Sequence, residues 1–274
     1  MPELTGQSEV MNRNKIVMIT SCKGGVGKST ICANLGLALA KRGKKVLLCD
    51  CDFGMKCLDL LTGHENEMLF SFYDAIVGRV ELDRVFLKDG RAEDLRICLA
   101  PDEIEGANVT PESFIRFLAA AAAKYTPDYI LLDTPGDLSH PFHLAAAAAG
   151  RAIVISTHQP TAIRAAEKTA DMLSKDGVQP SLIINCFETE RSNMIHKGKR
   201  AGLLEMIDRT SAGLLGVIPY SDSLALAQES GMLADEAGKN DFIPFRNIAA
   251  RMCGENLPLF TGLRHRKKLK RSVL

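Results

Sequence analysis

Between Ser21 and Thr30 the chain reads SCKGGVGKST, with two lysines five residues apart around three glycines. Glycines let a backbone turn tightly enough to aim successive N–H groups at one point, and the amides from Gly24 to Ser29 can wrap phosphate oxygens. The run Gly24, Gly25, Val26, Gly27, Lys28, Ser29 and Thr30 is therefore assigned to phosphate binding, with Lys28 reaching the β- and γ-phosphates of ATP. The Ser29 hydroxyl would complete the shell of a Mg²⁺ ion. The strict pattern GxxxxGK[ST] is missed by one residue, because Cys22 stands where the first glycine should be. Lys23 has no place in that pattern, and its spacing says only that it begins the loop and can point outward.

A phosphate loop needs a carboxylate at the end of a neighbouring strand to hold its metal. The run YILLDTPG offers Asp133, with Gly136 giving the following loop freedom to respond to the γ-phosphate. A second run, VLLCDCDFG, offers Asp50 and Asp52, which strand alternation points the same way while Cys49 and Cys51 face oppositely. Two carboxylates beside a triphosphate repel it unless a metal or a water to be oriented lies between them. One of the pair then serves the metal shell and the other the attacking water. The plain alternative for Asp50 is a solvated strand end.

The base is less clearly marked. The NKxD or TKxD element by which GTPases read guanine is missing, which favours ATP. Asn185, ending SLIINC, either offers its amide to adenine or closes a turn. The loop from Pro219 to Ser221 can add backbone contacts.

These residues all fall at the ends of short apolar runs. KIVMITS, KKVLLCD, LRICLAP, DYILLDTPG, RAIVIST, PSLIINCF and LLGVIP are near-continuous in hydrophobicity, as parallel strands covered on both faces are. Helical patterns separate them. STICANLGLALAKRG reads as an amphipathic helix opening directly after the loop and closed by Gly43, and the alanine tracts at Ala119–Ala123 and Ala145–Ala149 suit helices lying close on a sheet. The expected fold is α/β, a doubly wound, mostly parallel sheet of about seven strands with helices on both faces and ligands beyond the carboxyl ends of the strands. No linker or repeat divides the chain. Residues 1–12 read as a flexible extension, 13–256 as one ATPase domain, and 257–274 as a basic tail.

Composition agrees with one large globular domain: 274 residues, 46% hydrophobic and 24% charged. Apolar stretches stop short of the roughly 20 residues of a membrane span, and the polar N-terminus lacks a secretory core, so a cytoplasmic body is expected. Eight cysteines without a CxxC pair argue against a disulfide framework or structural zinc. The net charge of +1 hides an asymmetry: the last eleven residues, RHRKKLKRSVL, carry six Lys/Arg and no acid, leaving 28 basic against 33 acidic residues elsewhere.

KGGVGKST with its extra lysine resembles the deviant Walker A motif of the MinD/ParA (SIMIBI-class) P-loop ATPases. The resemblance runs from about Lys15 to Leu259 and leans towards the septum-positioning MinD branch through DCDFGMKCLDLLTGHEN, AIRAAEKTADML and LLGVIPYSDSLALA. It implies an ATP-dependent homodimer in which Lys23 crosses to the partner's phosphates. It also implies that Asp52 orients water, Asp133 holds the Mg²⁺ shell and Asp50 supports it. Asp137, where the branch has glycine, and Ala165, where it has aspartate, are departures bearing on the γ-phosphate switch and the dimer. Iron–sulfur members and tyrosine kinases of the fold are set aside, because Cys98 has no mate near Asp133 and the tail has no tyrosine cluster.

The tail sits where MinD proteins carry a membrane-targeting helix. Its basic residues suit an anionic membrane at about 1 kcal/mol each, and Phe260, Leu263 and Leu269 add apolar insertion. Nucleic acid is the less favoured polyanion, since the rest of the chain is acidic. The implied role is septum positioning from the inner face of the cell membrane with an unidentified protein activator or effector. The alternatives are a ParA-like or flagellum-positioning ATPase, or a nucleotide-dependent module that hydrolyses little.

Overall fold

The computed structural model describes residues 11–53, 55–67, 69–188, 203–257 and 259. The tail's basic residues and the first ten residues of the N-terminal extension lie outside them. Eight strands form one sheet: β1 (Ile16–Thr20), β2 (Val46–Asp50), β3 (Leu87–Lys88), β4 (Leu95–Cys98), β5 (Tyr129–Asp133), β6 (Arg151–Ser156), β7 (Gln179–Phe187) and β8 (Gly213–Pro219). Their order is β3-β4-β2-β5-β1-β6-β7-β8. Every pairing is parallel except that of β3 with β4. Seven strands match the seven apolar runs. The eighth, β3, is two residues of an edge hairpin, too short to leave a hydrophobic period in the sequence.

The helices are α1 (Lys28–Ala40), α2 (Leu58–Thr62), α3 (Phe72–Ile76), α4 (Glu103–Gly106), α5 (Pro111–Tyr125) and α6 (His140–Ala148). They continue with α7 (Pro160–Lys175), α8 (Leu203–Thr210), α9 (Asp222–Gln228), α10 (Ala234–Ala237) and α11 (Lys239–Met252). One face of the sheet is buried with Phe114, Phe142, Ile163 and Met206 from α5 to α8. The other is buried with Leu35 and Leu39 of α1 and with Phe245 and Ile248 of α11.

Local chemistry explains the helix ends. Thr110 and Ser113 form a reciprocal capping box with Pro111 at the first helical position of α5. Gly43 takes a positive φ of 73°, and the Gly43 and Lys44 amides donate back to Ala40 and Leu39 carbonyls, closing α1 as expected. The Arg13 guanidinium donates to the Ala147, Ala148 and Ala149 carbonyls and satisfies the open end of α6.

The expected amphipathicity of α1 is corrected. Nearly all its residues are buried, Lys28 and Asn34 among them, because α11 covers the side turned away from the sheet. Asn34 is satisfied there: its Nδ2 donates to the Thr30 carbonyl and its Oδ1 accepts from the Ala234 amide.

Topology places the site. Inserting β5 between β2 and β1 puts Asp133 in register with Asp50 on one side and Ile19 on the other. The ends of three strands far apart in sequence therefore converge beside the glycine loop.

Candidate active site

The loop leaves β1 at Thr20 and re-enters regular structure at Lys28. Gly25 and Gly27 take positive φ values of 71° and 92°, conformations a side chain resists. Val26 is buried in the core, while Gly24 and Gly25 are exposed, so the loop is pinned at its middle and open at its crest. Lys28 is buried at the first position of α1, where the helix N-terminus favours an anion. Ser29 and Thr30 follow, half-buried.

The loop after β5 lies directly on this crest. A Cβ added to Gly136 would stand 2.9 Å from the nitrogen and Cα of Gly24, too close for any side chain. Gly136→Ala must therefore push the phosphate loop aside. It is expected to lower ATP turnover about 10-fold to 100-fold, read as phosphate release, with thermal melting run in parallel to separate this from unfolding.

The three aspartates occupy three environments. Asp50 is fully buried, and its two oxygens accept from the Asp52 amide at 2.8 Å and the Leu58 amide at 3.2 Å. Burial pushes its carboxyl up to about 7 despite those hydrogen bonds. The solvated-strand-end alternative is thus ruled out. Asp133 is equally buried, and neither of its oxygens has a hydrogen-bond partner. Burial and the neighbouring Asp50 carboxylate raise its carboxyl well above the ordinary range. The Ser29 hydroxyl and Lys28 ammonium favour its charged form, the hydroxyl from nearby without a hydrogen bond of ordinary geometry. Asp52 stands half-buried at the rim, where one oxygen accepts from the Met55 amide at 3.3 Å. Cys49 and Cys51 face the opposite core, as alternation requires, and burial pushes the Cys51 thiol far up.

Lys23 does not simply point outward. Its ammonium donates to the Gln159 side-chain oxygen at 2.5 Å, bridging the loop to the N-cap of α7. Gln159 was not singled out from the sequence, where only its position just beyond β6 marks it. Thr20 and Ser21 were missed as well, and their buried hydroxyls also lack partners. Asn185 and Pro219 come together at the ends of neighbouring strands, and the Asn185 Nδ2 donates to the Val26 carbonyl at 2.9 Å. Asp137 accepts from the Ser139 amide at the turn into α6. Ala165 sits half-buried on α7, its carbonyl accepting from Thr169.

An unsatisfied buried polar group costs about 1–3 kcal/mol. Here both oxygens of Asp133 and the hydroxyls of Thr20 and Ser21 are orphaned at adjacent strand ends. That arrangement fits a hydrated cation. Among the described residues no group of three or more His, Cys, Asp or Glu is placed to hold an ion. A single buried carboxylate with hydroxyls beside it suits Mg²⁺, which takes few protein ligands and completes its shell from phosphates and water.

The comparisons with known proteins agree with this geometry. Residues 17–234 match the CobQ/CobB/MinD/ParA nucleotide binding domain. The septum site-determining protein MinD of Synechocystis sp. is 31% identical over 248 residues, 89% of this chain and 91% of that one. MinD in the MinC:MinD cell division protein complex of Aquifex aeolicus is 30% identical with a TM-score of 0.80, covering 90% of this chain and 98% of that one. MinD of Pyrococcus horikoshii, solved with Mg-ADP, is 24% identical with a TM-score of 0.75, covering 86% and 95%. At that identity it speaks for the fold alone. A phosphate loop with a second lysine, a buried strand-end aspartate beside it, and relatives matched over nine-tenths of their length lead to one assignment: the chain belongs to the MinD/ParA family of nucleotide-binding P-loop proteins.

Proposed function

We propose that this protein is a MinD-like ATPase that dimerises around ATP and positions the division septum through reversible membrane association. The observation that carries the reading is the pairing of a Lys23-bearing phosphate loop with the buried, unpartnered Asp133 at its side. Lys28 and the amides from Gly24 to Ser29 hold the phosphates against the start of α1. Ser29 and Asp133 hold Mg²⁺, with Asp50 behind them; when bound, the ion neutralises phosphate charge. Asp52, the least buried of the three aspartates, orients the attacking water and takes its proton. Lys23 leaves Gln159 for the phosphates of a second copy, so that hydrolysis waits on dimerisation. Asn185 and the Pro219 loop border the base.

Among the described residues no helix is long and apolar enough to cross a membrane. Membrane contact is therefore assigned to the basic tail, whose affinity doubles up when two copies join. The solved Aquifex relative is bound to MinC, and a protein effector of that kind is proposed here too.

The test is co-sedimentation with anionic liposomes in ATP and in ADP, using the full chain and one ending at Asn256. ATP should raise pelleting of the full chain several-fold, and truncation should abolish the gain. No response to nucleotide or tail would remove the membrane role and bring a chromosome or flagellum cargo forward. ATP turnover of Asp52→Ala equal to that of the unaltered chain would reduce the protein to a binding module.

A further inference from the structure

β7 carries an irregularity at the residue nearest the phosphate loop. Ile184 pairs with Val217 and Phe187 with Pro219, so two residues of β7, Asn185 and Cys186, oppose one residue of β8. This is a β-bulge, a device that re-aims a side chain next to a site. Its mark is visible in the packing: Ile184 and Phe187, three positions apart, lie in the same core, whereas strict alternation would put them on opposite faces. Cys186 takes up the extra residue with a φ of 52°, a left-handed conformation uncommon for a side-chain-bearing residue.

Asn185 stands just before the extra residue and follows Ile183 in regular alternation onto the face that holds Val26, while the bulge returns Phe187 to the face of Ile184. Asn185 is buried, it lies 159 residues from its partner in sequence, and its Nδ2 donates to the Val26 carbonyl at 2.9 Å. Val26 is itself sunk in the core below the loop. The next residue, Gly27, has no room for a side chain, because a Cβ there would meet the Asn185 Nδ2 at 2.4 Å. The Val26–Gly27 peptide is therefore held through its carbonyl, which accepts from Asn185, with glycine required at the following position.

A peptide unit is planar, so fixing the carbonyl on one side fixes the following N–H on the other. We infer that Asn185 is a positioning residue of the phosphate site: its amide, at the end of β7, holds the Val26 carbonyl and thereby sets the Gly27 N–H for the phosphates whatever base is attached. This rests on the nucleotide-site reading above and differs from it in what Asn185 recognises. An adenine contact would make Asn185 selective among bases. A loop brace makes it indifferent to them.

The experiment compares binding of MgATP, MgGTP and Mg-tripolyphosphate, which has no base, by displacement of a fluorescent ATP analogue. In Asn185→Ala and the isosteric Asn185→Asp, which cannot donate to a carbonyl when ionised, all three affinities should fall by a common factor of about 3 to 10. Asn185→Asp should lose the more, since its carboxylate faces the Val26 oxygen. A fall for ATP with tripolyphosphate unmoved would overturn the brace and leave a base contact. Should either variant fail to fold, amide exchange in the unaltered chain decides. Tripolyphosphate alone should slow exchange at 183–187, and protection that appears only with a base-bearing nucleotide would count against the inference. If the unaltered chain binds neither ATP nor tripolyphosphate, the nucleotide reading itself falls, a separate and recognisable outcome.

Discussion

Lys28→Ala is expected to lose ATP binding about 10²-fold to 10³-fold, while Lys23→Ala binds ATP within about threefold of the unaltered chain and loses turnover. The first magnitude follows from removing a preorganised charge aimed at phosphate in a site where Lys28 is almost wholly shielded from water. The second follows from where Lys23 sits. Its ammonium lies on Gln159 rather than over its own loop, so truncating it takes little from the phosphates held by the same chain. In the proposed dimer it would act on the phosphates of a second copy, comparable to an arginine supplied in trans, where rate effects of about 10³-fold or more are known. Fluorescent-nucleotide titration and phosphate release at several protein concentrations separate the two. The unaltered turnover per chain should rise with concentration and that of Lys23→Ala should not. Equal loss of binding in both variants would mean that both lysines serve one chain's own phosphates. Gln159→Ala should be milder and act the other way, freeing Lys23 and lowering the protein concentration at which turnover rises.

The second large effect is on stability. Asp50 has its carboxyl pushed up to about 7 by burial, from an ordinary 3.8. Between those values the folded chain keeps a proton that the unfolded chain has released. This group therefore stabilises least above pH 7: its contribution is full at acid pH and falls as pH rises through the window, by about 4 kcal/mol at most. Asp133, raised in the same direction and for the same reason, adds to the trend. Without nucleotide or Mg²⁺, Asp50→Asn should gain stability relative to the unaltered chain between pH 5 and pH 8, by at least 1–2 kcal/mol in urea unfolding. The asparagine can accept only one of the two amides that Asp50 satisfies, so a constant offset against the variant is expected under that slope. Unfolding midpoints that stay parallel across the range would show that the carboxyl is already charged in the folded chain, as it is in the unfolded one.

Much of the site could be read before any fold was known, because its chemistry is local. Glycines at 24, 25 and 27, the following lysine and serine, and an apolar run ending in aspartate are contiguous patterns. Each element needs only its own neighbours in the chain to form. The seven long strands could be read for the same reason. Asn185 marks the boundary of that kind of reading. Its place at a strand end was visible, but its hydrogen bond to Val26 depends on the end of β7 lying beside a loop 159 residues away in sequence, which no residue spacing encodes. Gln159 lay beyond reach, since an unremarkable glutamine matters only once β6 stands next to β1. The amphipathic reading of α1 failed because a helix covered on its outer side by α11 has no wet face to show.

By itself, then, the amino-acid sequence determined that phosphate would be bound at a glycine loop between a buried strand and a helix, and which carboxylates stood ready at strand ends. Tertiary structure alone decided how those carboxylates differ. Placing β5 between β2 and β1 sets Asp133 fully buried beside Asp50, its oxygens without a hydrogen bond, while Asp52, two residues beyond Asp50, remains at the rim. The physical reason is desolvation. The charge state of a carboxylate depends on what surrounds it in space, and that is a property of the sheet order rather than of the sequence on either side.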